Sequence, residues 1–274
     1  MSFRNQYLGF LRSKPLTNIT PQLGIPAFDF EELSRSLLPA TGIEIFMKDN
    51  EVLGKRIERF FEYGIENSDR YQMIAKNIQV FKGKITIGEL DFIIKDLYHK
   101  KTIHVELVYK FYLYDPDINP EFHRWIGPNR KDSLLQKVEK LKNKQFSLLY
   151  DEEVEAILED FQLYSAKIEQ QVCYLANLFI PFSRKKIQPQ QLDHNCIVGY
   201  WMNIEEFASG LFESFHFYMP EKKDWVVDPK YNQNWFSFTD ILKPLNEKLN
   251  QKKSPLLWVK SNEDSYTRFF IVWW

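Results

Sequence analysis

The sequence predicts an α/β fold, and three observations carry that prediction. Amphipathic stretches of helical spacing flank runs rich in β-branched and aromatic residues. From about residue 50 to 180 these elements follow the order helix, strand, strand, strand, helix, strand. Hydrophobic residues fill 44% of the 274 positions, ample for a packed core. Neither an internal repeat nor a low-complexity linker divides the chain. The economical reading is one α/β domain over residues 1–274: an N-terminal helical segment (1–48), a core (49–182) and a β-rich C-terminal extension (183–274).

In chain order, residues 1–48 are broken by Pro15, Pro21, Pro26 and Pro39 and read as a short helix, a loop and a second short helix. From Asn50 to about Ile65, Leu53, Ile57, Phe60, Phe61 and Gly64 recur at helical spacing, with Glu58 and Glu62 stacked one turn apart. RYQMIAKNIQVF and KITIGELDFII then read as a hairpin turning at Lys82 and Gly83. Strict alternation places Ile85, Ile87, Glu89, Asp91 and Ile93 on one face of the second strand and Leu90, Phe92 and Ile94 on the other. In TIHVELVYKFYLY the same rule projects His104, Glu106, Val108 and Lys110 together.

Gly127 and Pro128 mark a loop. SLLQKVEKLKNKQ reads as a helix with a Ser133–Gln136 capping box and an apolar stripe at Leu134, Val138 and Leu141. Another helix is expected at about 151–163. Beyond it, QQVCYLANLFIPF, NCIVGYWM, ESFHFYM, DWVVD, SPLLWVK and TRFFIVWW are strand-like, with one helix around TDILKPLNEKLN.

Composition narrows the function. Lysine plus arginine (36) nearly balances aspartate plus glutamate (37), so any nucleic-acid site must be local rather than a molecule-wide positive field. Cys173 and Cys196 stand far apart without a C-x-x-C companion, which excludes a disulfide framework and a structural zinc site of the usual kind and fits a reducing cytoplasm. MSFRNQYLGFLRSKPL lacks the apolar run of a signal peptide, and no stretch approaches the roughly 20 apolar residues of a membrane span, so a cytoplasmic protein without a membrane partner is expected. Dinucleotide, nucleoside-triphosphate, zinc-protease and serine-hydrolase motifs are absent. Trp201, Trp225, Trp235 and Trp258 are expected to pack in the core rather than to stack on bases.

Asp91 and Glu106 carry the chemistry. Two carboxylates on neighbouring strands, on faces otherwise apolar, can supply the hard oxygen ligands that magnesium takes alongside water and substrate phosphate. A bound ion lowers the pKa of its water, and a nearby lysine orients that water or neutralises the phosphate. The ordinary alternative is a strand whose carboxylates make surface salt bridges.

GELD followed by HVELVYK, in this element order, resembles the PD-(D/E)XK (restriction-endonuclease-like) nuclease superfamily. LGKRIERF, TIGELDFI, HVELVYKFYLY and GPNRKDSLLQKVEKL resemble segments of the bacterial family catalogued as domain of unknown function 1853, with weaker likeness at Gly199-Tyr200-Trp201 and Trp225. The superfamily resemblance implies a restriction-endonuclease-like core and a nuclease using Mg2+ or Mn2+ on DNA, ahead of RNA. By that resemblance Asp91 takes the superfamily's aspartate role and Glu106 its acidic role. Glu58 matches the acid often supplied by the first core helix, and Glu89 is an auxiliary metal ligand.

The lysine departs from the pattern: Val108 stands where it belongs. Lys110, two residues further on the same strand face, ranks ahead of Lys137 on the next helix as its replacement. Glu58, with Lys55 and Arg59 as neighbours, also reads as a solvated helix face. His104 reads as a half-buried strand residue, with a ligand role second. The basic run of Arg130, Lys131, Lys137, Lys140, Lys142 and Lys144, with Arg184, Lys185 and Lys186, reads as a phosphate-tracking surface or as a solvated one. The valine motivates an alternative function, a catalytically inactive nuclease-fold protein that binds nucleic acid or a protein partner. The sequence sets no oligomeric state.

Overall fold

The N-terminal segment forms three helices, α1 (Phe3–Leu11), α2 (Thr20–Leu23) and α3 (Phe30–Ser36), in a computed structural model that describes residues 1–37, 45 and 47–274. Ser2 and Asp29 cap α1 and α3 by accepting from the backbone of Asn5 and Glu32, and Thr20 with Pro21 starts a turn of helix where only a loop is expected. The break expected at Pro39 lies outside the described residues.

The amphipathic stretch after Asn50 becomes α4 (Leu53–Glu66), burying Ile57, Phe60, Phe61 and Ile65. Each such side chain contributes roughly 1.5–3 kcal/mol on leaving water. β1 (Tyr71–Lys82) and β2 (Ile85–Asp96) form the antiparallel hairpin, with Gly83 at φ +62° supplying the left-handed turn residue. β3 (Lys101–Tyr114) runs antiparallel to β2, and its end pairs with the two-residue β4 (Trp125–Ile126). α5 (Leu134–Lys140), capped by Ser133, and α6 (Glu152–Asp160) precede β5 (Ile168–Pro181), which lies parallel to β3.

The C-terminal residues extend the same sheet. β6 (Ile197–Asn203), α7 (Ile204–Phe207), β7 (His216–Tyr218), α8 (Phe238–Asn250), β8 (Leu256–Asn262) and β9 (Ser265–Val272) complete a nine-stranded mixed sheet of order β1-β2-β3-β5-β6-β9-β8-β7, with β4 on the end of β3. DWVVD is a correction to the expected strands. It is a turn after a 3-10 stretch at Lys222–Asp224, and its Trp225, Val226 and Val227 enter the core from there. Burial alone made that run apolar, and a turn satisfies burial as well as a strand does.

Helices flank both faces of the sheet. α1, α3 and α4 pack Phe10, Phe30, Phe60 and Phe61 over Phe92, Ile94, Ile103 and Val105. On the opposite face α5 lays Leu134 and Val138 on Val108, Tyr112, Val172 and Tyr174, and α6 lays Val154 and Leu158 on Val80, Leu90 and Ile93. Trp258 is wholly buried and Trp225 nearly so, as expected of packing residues.

Strict alternation in β2 fails at Asp91, besides the bulge that skips Ile87 between Gly88 and Thr86. Leu90 and Ile93 share one layer while Phe92 and Ile94 occupy the other, and Ile85 and Ile87 are exposed. The register Leu90↔Ile78 and Phe92↔Lys76 leaves Asp91 across from Asn77, which sits at φ +49°. A left-handed residue in the partner strand interrupts the pleat, so the two sides of Asp91 fall out of phase. The β2–β3 ladder also ends here, at Phe92↔Val105, and the strands part where Asp91 and Glu106 stand.

Candidate active site

Because β2 leaves β3 at this point, the Leu107 N–H loses its ladder partner, and Asp91 Oδ2 takes the bond at 2.9 Å. Among the described residues this is the one hydrogen bond the Asp91 carboxylate makes, so Oδ1 is unengaged. Burial first, and the neighbouring Glu106 charge second, push the half-buried Asp91 carboxyl up to about 7.

Glu106, one residue before Leu107 on β3, is wholly buried. Its Oε1 lies 3.1 Å from His104 Nε2, and its Oε2 accepts from Gln145 Nε2. Burial pushes its carboxyl upward, opposed by the positive charge of Lys137 and by the Asp91 backbone N–H. His104 is also wholly buried, and burial lowers it to about 4, so it is neutral at pH 7. Gln170 Nε2 donates to the Phe146 carbonyl at 2.7 Å and stands 3.4 Å from His104 Nδ1. Nδ1 is therefore the acceptor, which leaves the proton on Nε2, facing Glu106.

Lys137 comes to these carboxylates from α5. Its Nζ donates to Gln145 Oε1 at 2.7 Å; burial lowers its pKa, while Glu106 and Asp91 act to raise it. Gln145 thus stands between lysine and glutamate, accepting from one and donating to the other. It gets there because α5 widens into a π turn over Leu141–Gln145, a backbone irregularity that recurs at functional sites. Residues 34–272 match the family described as domain of unknown function (DUF1853).

The chain belongs to the DUF1853 family. No curated protein and no solved structure matches it. The match runs from within α3 to the end of β9, so it takes in both this carboxylate site and the C-terminal strands.

The other residues singled out in this DUF1853 chain fall around the pair. Val108 is buried among Leu134, Val138 and Leu141, so no lysine fits there without burying its ammonium. Lys110 is bonded instead to Asp132 at 2.7 Å. The 127–132 loop presents that carboxylate: Gly127 N donates to Asp132 O, and a Cβ at Gly127 would lie 2.0 Å from Asp132 Oδ1. Of the two lysines, Lys137 is the one linked to Glu106.

Glu58 and Glu89 are joined by Asn77, whose Nδ2 donates to both, at 3.2 and 3.0 Å. Glu58 also makes the surface pair with Lys55 at 2.7 Å that its helix neighbours suggested. Their charges reach the central pair, Glu58 acting on Asp91 and Glu89 on Glu106. Among the described residues, no group of three or more His, Cys, Asp or Glu side chains is placed to hold a metal ion.

Reading the sequence missed Gln145, Gln170 and Asn77. His104, two residues before Glu106 on the same face, was the one visible signal of the buried polar chain. Nothing in the spacing announces Gln145, since a regular helix would aim it elsewhere.

Proposed function

We propose that this protein is a metal-dependent phosphodiesterase of restriction-endonuclease-like core, cleaving nucleic acid, DNA ahead of RNA. One observation carries the reading: Asp91 and Glu106 stand together where two strands part, burial pushing both carboxyls up, with the Lys137 charge beside them. Two hard-oxygen carboxylates short of positive charge, one with an unengaged oxygen, suit Mg2+ or Mn2+, which complete their shells with water and phosphate. Asp91 and Glu106 would hold the ion, with Glu58 and Glu89 behind them tuning its charge. When bound, such an ion supplies Lewis-acid activation of water and of the scissile phosphate.

The chain's own groups have separate tasks. His104 and Gln145 donate to Glu106 and favour its ionised form in a buried place. The Leu107 N–H orients Asp91. Lys137 places a proton-bearing Nζ beside the pair, to neutralise the phosphate or orient the attacking water.

The second reading, an inactive binding protein, is favoured by the tether of Lys137 to Gln145 and by the valine at 108. The experiment that separates them incubates purified protein with plasmid, single-stranded and branched DNA and with RNA, plus Mg2+ or Mn2+. Wild type should cleave, while Asp91→Asn and Glu106→Gln should not. Equal cleavage by all three would mean a contaminant, and no cleavage by wild type under any of these conditions would overturn the nuclease.

A further inference from the structure

Among the described residues, no strand covers the β2-side edge of β3 beyond Phe92↔Val105 until β4 joins at Leu113. The Leu107 N–H faces that edge, as its bond to Asp91 records, and the strand repeat turns the Tyr109 and Phe111 amides the same way. The open edge lines a cavity of about 450 Å³ whose other walls include the start of α4, the 128–132 loop and Lys222. Three lysines line it, Lys110, Lys131 and Lys222, against one carboxylate, Asp132, which already serves Lys110. Among the described residues neither Lys131 nor Lys222 makes an ion pair, and Lys222 stands 5.6 Å over the Trp225 ring.

Lys222 also lines two further cavities, of about 630 and 530 Å³; the second carries Lys248 and Lys253, and the first is flanked by Asp49 and Glu51. The cavity of about 450 Å³ is walled by Lys110 and Gly54, and the strand and helix that carry them, β3 and α4, also carry Glu106 and Glu58. Lys110 is near enough to Lys137 to act on its charge, and Lys55, next to Gly54 in the cavity wall, is acted on by Asp91.

We propose that this groove is the bed for one unpaired strand of a nucleic acid, with Lys131 and Lys222 each meeting a backbone phosphate and leading the strand to Asp91 and Glu106. The proposal rests on the nuclease reading for its purpose, and on the lysines and the open strand edge for its place. With a net charge of −1 the molecule has no general attraction for polyanions, so a row of unpaired lysines must act locally. A basic groove that follows one backbone beside aromatic side chains is the kind of site that takes an unpaired strand, and Tyr109, Phe111 and Trp225 line this one. Backbone amides on the open edge add neutral donors for phosphate oxygens.

The test measures fluorescence anisotropy of labelled oligothymidylate with the full chain in EDTA, so that binding is read without cleavage. Variants are the double Lys131→Glu, Lys222→Glu; a control, Lys95→Glu, exposed at the far end of β2; and Asp91→Asn. Wild type should bind with an affinity that falls as salt rises. The double variant should bind at least tenfold more weakly, with the slope of log affinity against log salt reduced by about 1.4, roughly 0.7 for each lost contact on a single strand. Lys95→Glu should match wild type, and Asp91→Asn should bind at least as well as it.

No binding by wild type, a double variant no weaker than Lys95→Glu, or tighter binding of duplex than of single strand would each overturn the proposal. Lysine-dependent binding without metal-dependent cleavage would remove the nuclease reading and keep the groove. Cleavage untouched by the double variant would do the reverse.

Discussion

Replacing Asp91 by asparagine should stabilise the protein at pH 8 while removing its response to metal. In the fold the Asp91 carboxyl is pushed from an ordinary 3.8 to about 7, by burial and by Glu106. Below pH 4 it is protonated in both folded and unfolded chains and costs nothing. Between about 4 and 7 the unfolded chain releases this proton while the folded chain keeps it, so stability falls as pH rises, and above 7 the full penalty is present. Three pKa units correspond to about 4 kcal/mol as a ceiling. Because the side chain is only half-buried, solvent screening should leave about 1–2 kcal/mol.

Asparagine keeps an oxygen to accept from Leu107 N, so the bond that replaces the ladder survives and the charge does not. For a chain of this size, ~1–2 kcal/mol is a rise in Tm of roughly 2–8 °C at pH 8, shrinking to nothing near pH 4. Thermal melts of both proteins in EDTA across that range measure it. Adding Mn2+ should then raise the Tm of wild type, by the equivalent of ~2.7 kcal/mol at a hundredfold excess over Kd, and leave the variant unmoved. A variant destabilised at pH 8, or shifted equally at pH 4 and 8, would refute the placement of a repelling, buried carboxylate at 91.

The remaining expectations concern the lysine, the π turn and the sheet. Lys137→Met should cut cleavage by about 10²–10³-fold, the usual loss on removing one charge-stabilising donor, whereas Lys110→Met should cost less than tenfold; initial rates on single-stranded DNA compare them. Gln145→Leu removes a donor from buried Glu106. It should cost about 1–3 kcal/mol in urea melts at pH 8 and less at pH 5, where Glu106 can take up a proton. Gly199→Ala would place a Cβ 2.2 Å from the Arg268 carbonyl oxygen, forcing β6 from β9. A loss of about 1–3 kcal/mol by urea unfolding is expected if the C-terminal strands share the main sheet.

Much of this architecture is written locally. The apolar spacing of Leu53 to Ile65 lies close to α4, the two alternating runs with Gly83 between them match the β1–β2 hairpin, and Ser133 does cap α5. The shared face of His104, Glu106 and Val108 is legible for the same reason, since a strand repeats every two residues whatever surrounds it. Asp91 and Glu106 could be assigned to neighbouring strands before any coordinates.

What periodicity leaves open is where periodicity breaks. The left-handed backbone at Asn77, the parting of β2 from β3 and the π turn that delivers Gln145 are departures from regular repeats, and their cause is packing between segments distant in sequence. For that reason the spacing ranked Lys110 first, by its place on the strand, while the fold gives Lys110 to Asp132 and links Lys137 to Glu106 through Gln145. The C-terminal strands show the same division. Their residues announce β structure, but only the pairing of β6 with β5 and β9 makes them a continuation of the sheet, because register between distant segments depends on which edges are free when the chain folds.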